Sequence, residues 1–463
     1  MPNESGLSRT LSFWGMVGVV MTGLRLKERW DDYKQLSTED GRISLNSPAR
    51  YSDDDAEMGA ASRVAALDTD IPGARQKRKR AKECCVCCGL RCGLFWKAFG
   101  IVCLIFLLWN TFKITKYAMT PSPTGLENMP EYSASLGCLP GDAPHLYNSS
   151  TITINTSMTS LKKDHSLDLR GGAVGTLVLA PGAPDQTDIK YEMTVRSNDK
   201  EVLDFIDVHY PTEHDADKAG NIKDSRFVLN MPLVPAAGSS CIRYDITVYI
   251  PQSLKKLHVQ THTPTHVQFP DQTTSIMLDE FYVTMYATTS DNMILPTVGI
   301  QAKKLKLEAF GGWIVGDVSI VDKTTITTRR GDGTMNVRVH PAAVSVEPPK
   351  EGADTIPPLP AARLYTTSGS GRTDISYLSS GTHRPINSVH QSSGNGDLYL
   401  TYADAGFNGK IDVKAKSYTM KGVQGGMGPG KPGEHNNDRW VGNKEGGDKL
   451  EVDSPQGWVG LYF

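Results

Sequence analysis

The sequence predicts an all-β ectodomain of stacked coils, a β-solenoid or β-helix-like arrangement, on one transmembrane helix behind a disordered cytoplasmic N-terminal tail. Three observations predict it. Residues 94–112, "LFWKAFGIVCLIFLLWNTF", are apolar apart from Lys97. The chain after them is rich in alternating segments such as "DIKYEMTV", "IRYDITVYIP" and "TMNVRVH", the pattern of half-buried strands. In the second half, short glycine-bearing polar stretches recur, each followed by such a strand.

The apolar run is close to the ~20 residues that a bilayer core of about 30 Å requires. Lys97 lies near one end, where a long side chain snorkels to the headgroups. Trp96 and Trp109 stand near the two ends, where interfacial indoles belong. On the N-terminal side "RQKRKRAKE" packs Arg75, Lys77, Arg78, Lys79, Arg80 and Lys82 together. The other flank has only Lys113 and Lys116. The basic side stays in the cytosol, so residues 1–93 are expected there and residues 113–463 in the lumen or outside. This is a single-pass protein with an uncleaved signal-anchor, in the plasma membrane or the secretory pathway. A second apolar run at residues 11–24, "LSFWGMVGVVMTGL", is short for a span and fits a signal-peptide core or an interfacial segment.

The formal charge of -2 gives no global pull toward nucleic acid. The basic run is therefore assigned to anionic lipid of the inner leaflet. Between it and the span lie Cys84, Cys85, Cys87, Cys88 and Cys92. Cytosolic thiols stay reduced, which argues against a disulfide knot. A zinc site would draw on a second pair or on histidines, and no histidine precedes His145. Juxtamembrane cysteines beside a basic run are the setting for S-palmitoylation. The rest of the tail is polar and without period, and reads as disordered. "YKQL" at residues 33–36 has the shape of a tyrosine sorting signal.

After the span, residues 113–135 read as a Pro/Ser/Thr-rich stalk, 136–295 as an N-terminal β region and 296–463 as a glycine-cornered β-solenoid region. Sequons mark Asn148 and Asn155 for glycosylation on the expected lumenal side. The ectodomain holds two cysteines, Cys138 and Cys241. They are expected to form a disulfide in an oxidising compartment, the alternative being two separate buried thiols.

The glycine rhythm runs through "EAFGGWIVGDVSIV", "TRRGDGTMNVRV", "TTSGSGRTDISYL", "QSSGNGDLYLTY" and "DSPQGWVGLYF". Gly311, Gly331, Gly369 and Gly394 mark its corners, where positive φ is expected. An antiparallel sandwich with glycine turns is the competing architecture. The pattern resembles the adhesin-type β-solenoid domain of many bacterial and some fungal membrane proteins, over residues 250–463. The combination of tail, span and such an ectodomain looks most like uncharacterised fungal proteins. Because that family has no agreed catalytic residues, the resemblance carries over none. Two Pro/Gly-rich insertions, "HPAAVSVEPPKEGADTIPPLPAA" and "GVQGGMGPGKPGEHNNDRWVGNKEGGDK", interrupt the repeat.

Chemistry-bearing motifs are sparse, and none requires a cofactor or metal. His258, His262 and His266 stand four apart, but Pro264 and the threonines argue for an extended chain in which four residues span about 13 Å. "HDADKAGNIKD" offers Asp215 and Asp217 but lacks the fifth- and twelfth-position ligands of a calcium loop, since Ala219 and Arg226 stand there. Arg330-Gly331-Asp332 is a weak adhesion tripeptide. Asp317, Asp374, Asp397 and Asp412 begin or enter strands, and a polysaccharide-active β-helix enzyme would cluster such acids. The expectation is a non-enzymatic protein of adhesion, wall contact or scaffolding that meets wall polysaccharide or a surface protein. The alternatives are that enzyme and a Golgi or endosomal sorting receptor using "YKQL".

Overall fold

The computed structural model describes residues 13–39, 86–87, 90–119 and 124–463, the last apart from 219–220, 234–239, 271–274, 330, 344–358, 379–380, 382 and 426–438. The chain divides into two compact units, Met1–Ser122 and Pro123–Phe463.

In the first unit, helix α1 (Phe13–Glu39) packs on helix α2 (Cys92–Met119). Val17, Ala98 and Val102 are buried between them, ringed by Met16, Val20, Met21, Leu24 and Phe95. The short apolar run at 11–24 thus falls largely within α1, on the flank of α2. A two-residue antiparallel pair, β1 (Val86–Cys87) with β2 (Leu90–Arg91), precedes α2. Among the described residues one helical stretch is long and apolar enough to cross a membrane, Phe95–Lys116. Its polar side chains satisfy themselves on their own backbone. Asn110 Nδ2 donates to the Phe106 carbonyl at 2.8 Å, and Thr115 Oγ1 to the Thr111 carbonyl at 2.8 Å.

The second unit is nearly all strand. In chain order it holds β3 (His145–Leu146), β4 (Ile152–Thr156), β5 (Asp164–Arg170), β6 (Val174–Pro181), β7 (Ile189–Ser197), the four-residue helix α3 (Lys200–Leu203), β8 (Asp207–His209) and β9 (Arg226–Asn230). Next come β10 (Ile242–Ile250), β11 (Lys256–Thr261), β12 (Thr265–Gln268), β13 (Ile276–Met285), β14 (Met293–Leu295), β15 (Ile300–Ala309), β16 (Trp313–Ile320), β17 (Lys323–Thr328) and β18 (Thr334–Pro341). Last are β19 (Ala362–Ser368), β20 (Thr373–Tyr377), β21 (Ile386–Ser392), β22 (Leu398–Thr401), β23 (Gly409–Lys421), β24 (Gln424–Gly425), β25 (Arg439–Val441) and β26 (Asp448–Tyr462).

From β11 to β20 each strand pairs in parallel with the strand two further along, and this makes two ladders. One runs β5, β11, β13, β15, β17, β19, β21, β26. The other runs β6, β12, β14, β16, β18, β20, β22, β26. The long strand β26 serves both: Lys449–Asp453 pair with β21 and Val459–Tyr462 with β22. Antiparallel strands finish the N-terminal end, where β10 pairs with β7, β7 with β4, and β9 with β8. Alternation sets the buried face. In β11 and β19 every second residue is buried, and these side chains join one core reaching from Ile154 to Leu461.

The two-residue period places polar groups inside; hydroxyls such as those of Thr261, Thr324 and Thr373 have no partner there, while His165 and His390 pair. His390 hydrogen-bonds with the hydroxyls of Thr366 at 2.7 Å and Tyr402 at 2.9 Å. His165 does so with Ser225 at 2.6 Å and Tyr191 at 2.5 Å. Burial pushes both imidazoles down to about 3, so each stays neutral in the folded chain.

The corners work differently from the expectation. Gly331 adopts a left-handed φ of 55°, but Gly311, Gly369 and Gly394 do not; the positive φ of the first corner falls on Gly312, at 93°. What the remaining corners require is close approach. A Cβ on Gly371 would lie 2.1 Å from the Gly333 carbonyl oxygen. One on Gly396 would lie 2.2 Å from that of Gly371, and one on Gly457 2.3 Å from that of Gly396. The glycines form a column in which each backbone rests on the one before.

The far end is β23, which pairs with β26 along its length and with β25 only over Gly409–Ile411. Beyond Ile411 no described strand lies on its other side.

Gly396→Ala is expected to force the column apart at a cost of roughly 1–3 kcal/mol, the range for overpacking. Denaturant unfolding checks this against Gly141→Ala, a position with nothing within 4 Å, which is expected to leave the midpoint unchanged.

Candidate binding surfaces

In-register parallel pairing lines up outward residues in columns, one per strand, about 4.8 Å apart. On the β5–β26 ladder one column runs Ser166, His258, Tyr282, Lys306, Thr325, Tyr365, Val389. The His258 ring stacks on Tyr282 at 4.7 Å, and Lys323 lies over Tyr365 at 4.7 Å. A neighbouring column carries charge: Asp164, Lys256, Glu280, Lys304, Lys323, Arg363. Lys256 and Lys304 both reach Glu280, at 3.4 and 3.2 Å, and Arg363 reaches Asp322 at 2.6 Å. The hydrogen bond from Lys304 holds the Glu280 carboxyl below its ordinary range, against a smaller opposing effect of burial. At the strand ends His262 stacks on Tyr286 at 4.6 Å, Tyr286 meets Phe310 at 5.5 Å, and Arg329 covers Phe310. This face presents rings and charges in rows, with bases in excess along the charged column. Its chemistry suits many small contacts spread along a surface.

The other ladder's outer face is partly covered. The segment expected to be a stalk lies against it from Thr124 to Cys138. Thr124 accepts a hydrogen bond from Asn336 Nδ2, and Gly125 rests on the Arg372 side chain. Tyr132 meets the His266 ring at 5.5 Å. The Ser133 N–H donates to His266 Nδ1 at 2.9 Å, while His266 Nε2 donates to the Asp291 carbonyl at 2.8 Å. Arg243, 2 % exposed, donates through Nη1 to the carbonyls of Ser133 and Gly137, at 2.9 and 3.0 Å. It also meets the Ser133 hydroxyl and Asp245. Next to it Cys138 and Cys241 are bonded, with Cα atoms 6.0 Å apart. Burial, then the Asp245 charge, pushes the Tyr132 hydroxyl up to about 12. The result is a strap tied across the sheet.

The four aspartates do not converge. Asp317 pairs with Arg338 and His340, and Asp374 with Arg372, on strands separated by β18. Asp397 is exposed at a corner, and Asp412 stands opposite Glu451 on the other ladder. The histidines separate too: His258 faces outward from β11, His262 follows it beside Asp168 at 3.5 Å, and His266 is buried under the strap. Among the described residues no group of three His, Cys, Asp or Glu is placed to hold a metal ion. Asp215 and Asp217 cap their own loop, accepting from Thr212 and Asn221. In the Arg-Gly-Asp corner, Asp332 is exposed and Arg330 lies outside the described residues. Of the tail cysteines, Cys84, Cys85 and Cys88 lie outside them as well, with Cys87 in β1 and Cys92 opening α2. Asn148 and Asn155 are both exposed, Asn148 on a turn and Asn155 on β4. Neither Arg243 nor the strap was singled out by pattern, because a lone arginine in a strand gives no sign that distant carbonyls converge on it.

No family model and no curated protein matches the chain. Solved structures with some likeness include a protein of Clostridium sporogenes ATCC 15579 provisionally named a cell adhesion protein. It is 9 % identical, covers 68 % of this chain and 99 % of its own, and has a TM-score of 0.21. Another, of Bacteroides fragilis NCTC 9343 and provisionally named an adhesin, is 12 % identical, covers 67 % and 97 %, and has a TM-score of 0.32. Likeness at these scores carries no argument about how this chain folds or acts.

Arg243→Met is expected to loosen the strap, leaving the Ser133 and Gly137 carbonyls without their donor, while Asp245 keeps Thr176 and Arg196. The loss is at least the ~1.5–3 kcal/mol of one charged hydrogen bond. Limited proteolysis followed by mass spectrometry is expected to find new cleavage within residues 124–137.

Proposed function

We propose that the chain is a single-pass membrane protein, N-terminus in the cytosol, whose two-ladder unit is a β-solenoid acting as a non-enzymatic, adhesin-like contact surface. Its place is the plasma membrane or the secretory pathway. Its partner is cell-wall polysaccharide, with a surface protein as the other class to be tested. The observation that carries this reading is the outward column that holds the rings His258, Tyr282 and Tyr365, beside a column of charged side chains. Such a surface binds by many modest contacts. The dispersal of Asp317, Asp374, Asp397 and Asp412 favours contact over cleavage.

The apolar stretch Phe95–Lys116 supports the anchor. The basic run and palmitoylated Cys84, Cys85, Cys87, Cys88 and Cys92 would then hold the tail to the anionic inner leaflet. Single acyl chains give marginal binding, so several together beside a polybasic run suit stable attachment.

Cells displaying the full chain are expected to attach to immobilised wall polysaccharide. A Tyr282→Ala, Tyr365→Ala double variant is expected to attach several-fold less at equal surface level. Equal attachment by the variant, or attachment only to protein-coated surfaces, counts against the polysaccharide reading. Release of soluble sugar that Asp374→Asn or Asp397→Asn abolishes would establish an enzyme instead.

Acyl-exchange labelling of the membrane fraction is expected to tag the chain, and replacing the five cysteines by serine to remove the tag. An untagged wild-type chain would sink the lipidation proposal.

A further inference from the structure

We propose that the N-glycan carried by Asn155 folds back into a cleft beside it and becomes a packed part of the protein. The proposal rests on the lumenal placement argued above and goes beyond it in assigning the sugar a site.

The cleft has a volume of about 1030 Å³ and lies between β4, the turn before β5, and residues 210–218 with Ile222. That is at the upper end of the ~300–1,000 Å³ usual for ligand sites. Asn155 itself lines it. Asn155 sits on β4 opposite Lys190, exposed, with its neighbours Ile154 and Thr156 turned into the core. A sugar on its side-chain nitrogen therefore starts at the cleft wall.

The lining has the chemistry that a pyranose needs. Sugar rings offer hydroxyls at the edge and C–H groups on the face. Ser157, Asp188, Thr212, Asp217 and Lys163 supply donors and acceptors around the cleft. Two of the acceptors are fixed in place: Ser157 Oγ donates to Asp188 Oδ1 at 2.9 Å, and the Asn221 N–H to Asp217 Oδ1 at 2.9 Å. The Asp188 carboxylate has further lone pairs for a sugar hydroxyl. Tyr210 supplies the aromatic surface. Its ring lies near parallel to Phe227, at 6.5 Å and 17°, and remains 37 % exposed. The cleft is thus polar along its edge with one ring for stacking. The second sequon provides an internal comparison, because Asn148 sits exposed on a turn and does not line the cleft.

The experiment uses the full chain, expressed in a host that glycosylates and kept in its membrane. The membranes are treated with an amidase that removes N-glycans, first without denaturation and then after it. Site occupancy is read by mass spectrometry. The Asn148 glycan is expected to be released under native conditions and the Asn155 glycan roughly tenfold more slowly or only after denaturation. Tyr210→Ala, and the milder Thr212→Val, are expected to bring release at Asn155 to the rate at Asn148. Asn155→Gln is expected to lower the unfolding midpoint where Asn148→Gln does not. Equal native release at the two sites overturns the proposal, as does glycan on Asn148 with none on Asn155. Sugar on neither asparagine overturns the lumenal topology and this proposal together.

Discussion

A parallel ladder holds its strands about 4.8 Å apart, and every other feature of the β unit must respect that spacing. At strand positions the spacing is easily met, because side chains point away from the hydrogen-bonding direction. At the corners the backbone turns, and a side chain would point at the layer below. Only hydrogen fits there, which is why Gly371, Gly396 and Gly457 each sit on a carbonyl of the preceding layer. If that contact opened, the hydrogen bonds of both ladders would lengthen together, since β26 joins them. The outward rows of rings and charges exist only because the register beneath them is unbroken.

The spacing also explains how the interior tolerates polar residues. Alternation brings His390, Thr366 and Ser388 inside, and layers above and below then supply partners at fixed distance. Tyr402 is typical: its hydroxyl meets His390 while its ring stacks on Tyr377 at 4.6 Å and on Phe463 at 5.4 Å. A buried polar group with a partner costs little, and one without costs ~1–3 kcal/mol.

Strand positions are readable in the chain because burial on one face imposes a period of two, as in "DIKYEMTV" and "IRYDITVYIP". Which strand lies beside which was not readable, since alternation reports the buried face and says nothing about the neighbour. The expected positive φ holds at Gly331 and fails at Gly311, Gly369 and Gly394, because a sequence marks a glycine without telling positive φ from close approach. Residues 113–135 looked like a stalk because Pro, Ser and Thr resemble a linker. The tie of residues 124–138 to the sheet depends on Arg243 and His266, more than a hundred residues on, which no local pattern announces. The aspartates were seen individually, and only the register showed that salt bridges to Arg338 and Arg372 occupy two of them.

The terminal strand β23 bears on assembly. A layered stack is a template, and its last layer offers the same unpaired backbone that each earlier layer offered the next. Left bare, such an end recruits further chains and grows into a fibre. Here the last layer reads "GKIDVKAKSYTMK", with Lys410, Lys414, Lys416 and Lys421 along it. A second copy docking end to end would bring these ammonium groups against their counterparts. The opposite end closes with the antiparallel strands β4, β7 and β8, which offer no matching parallel edge. The repeat that would template a further layer thus stops at a strand where a second copy, docked end to end, would meet like charge.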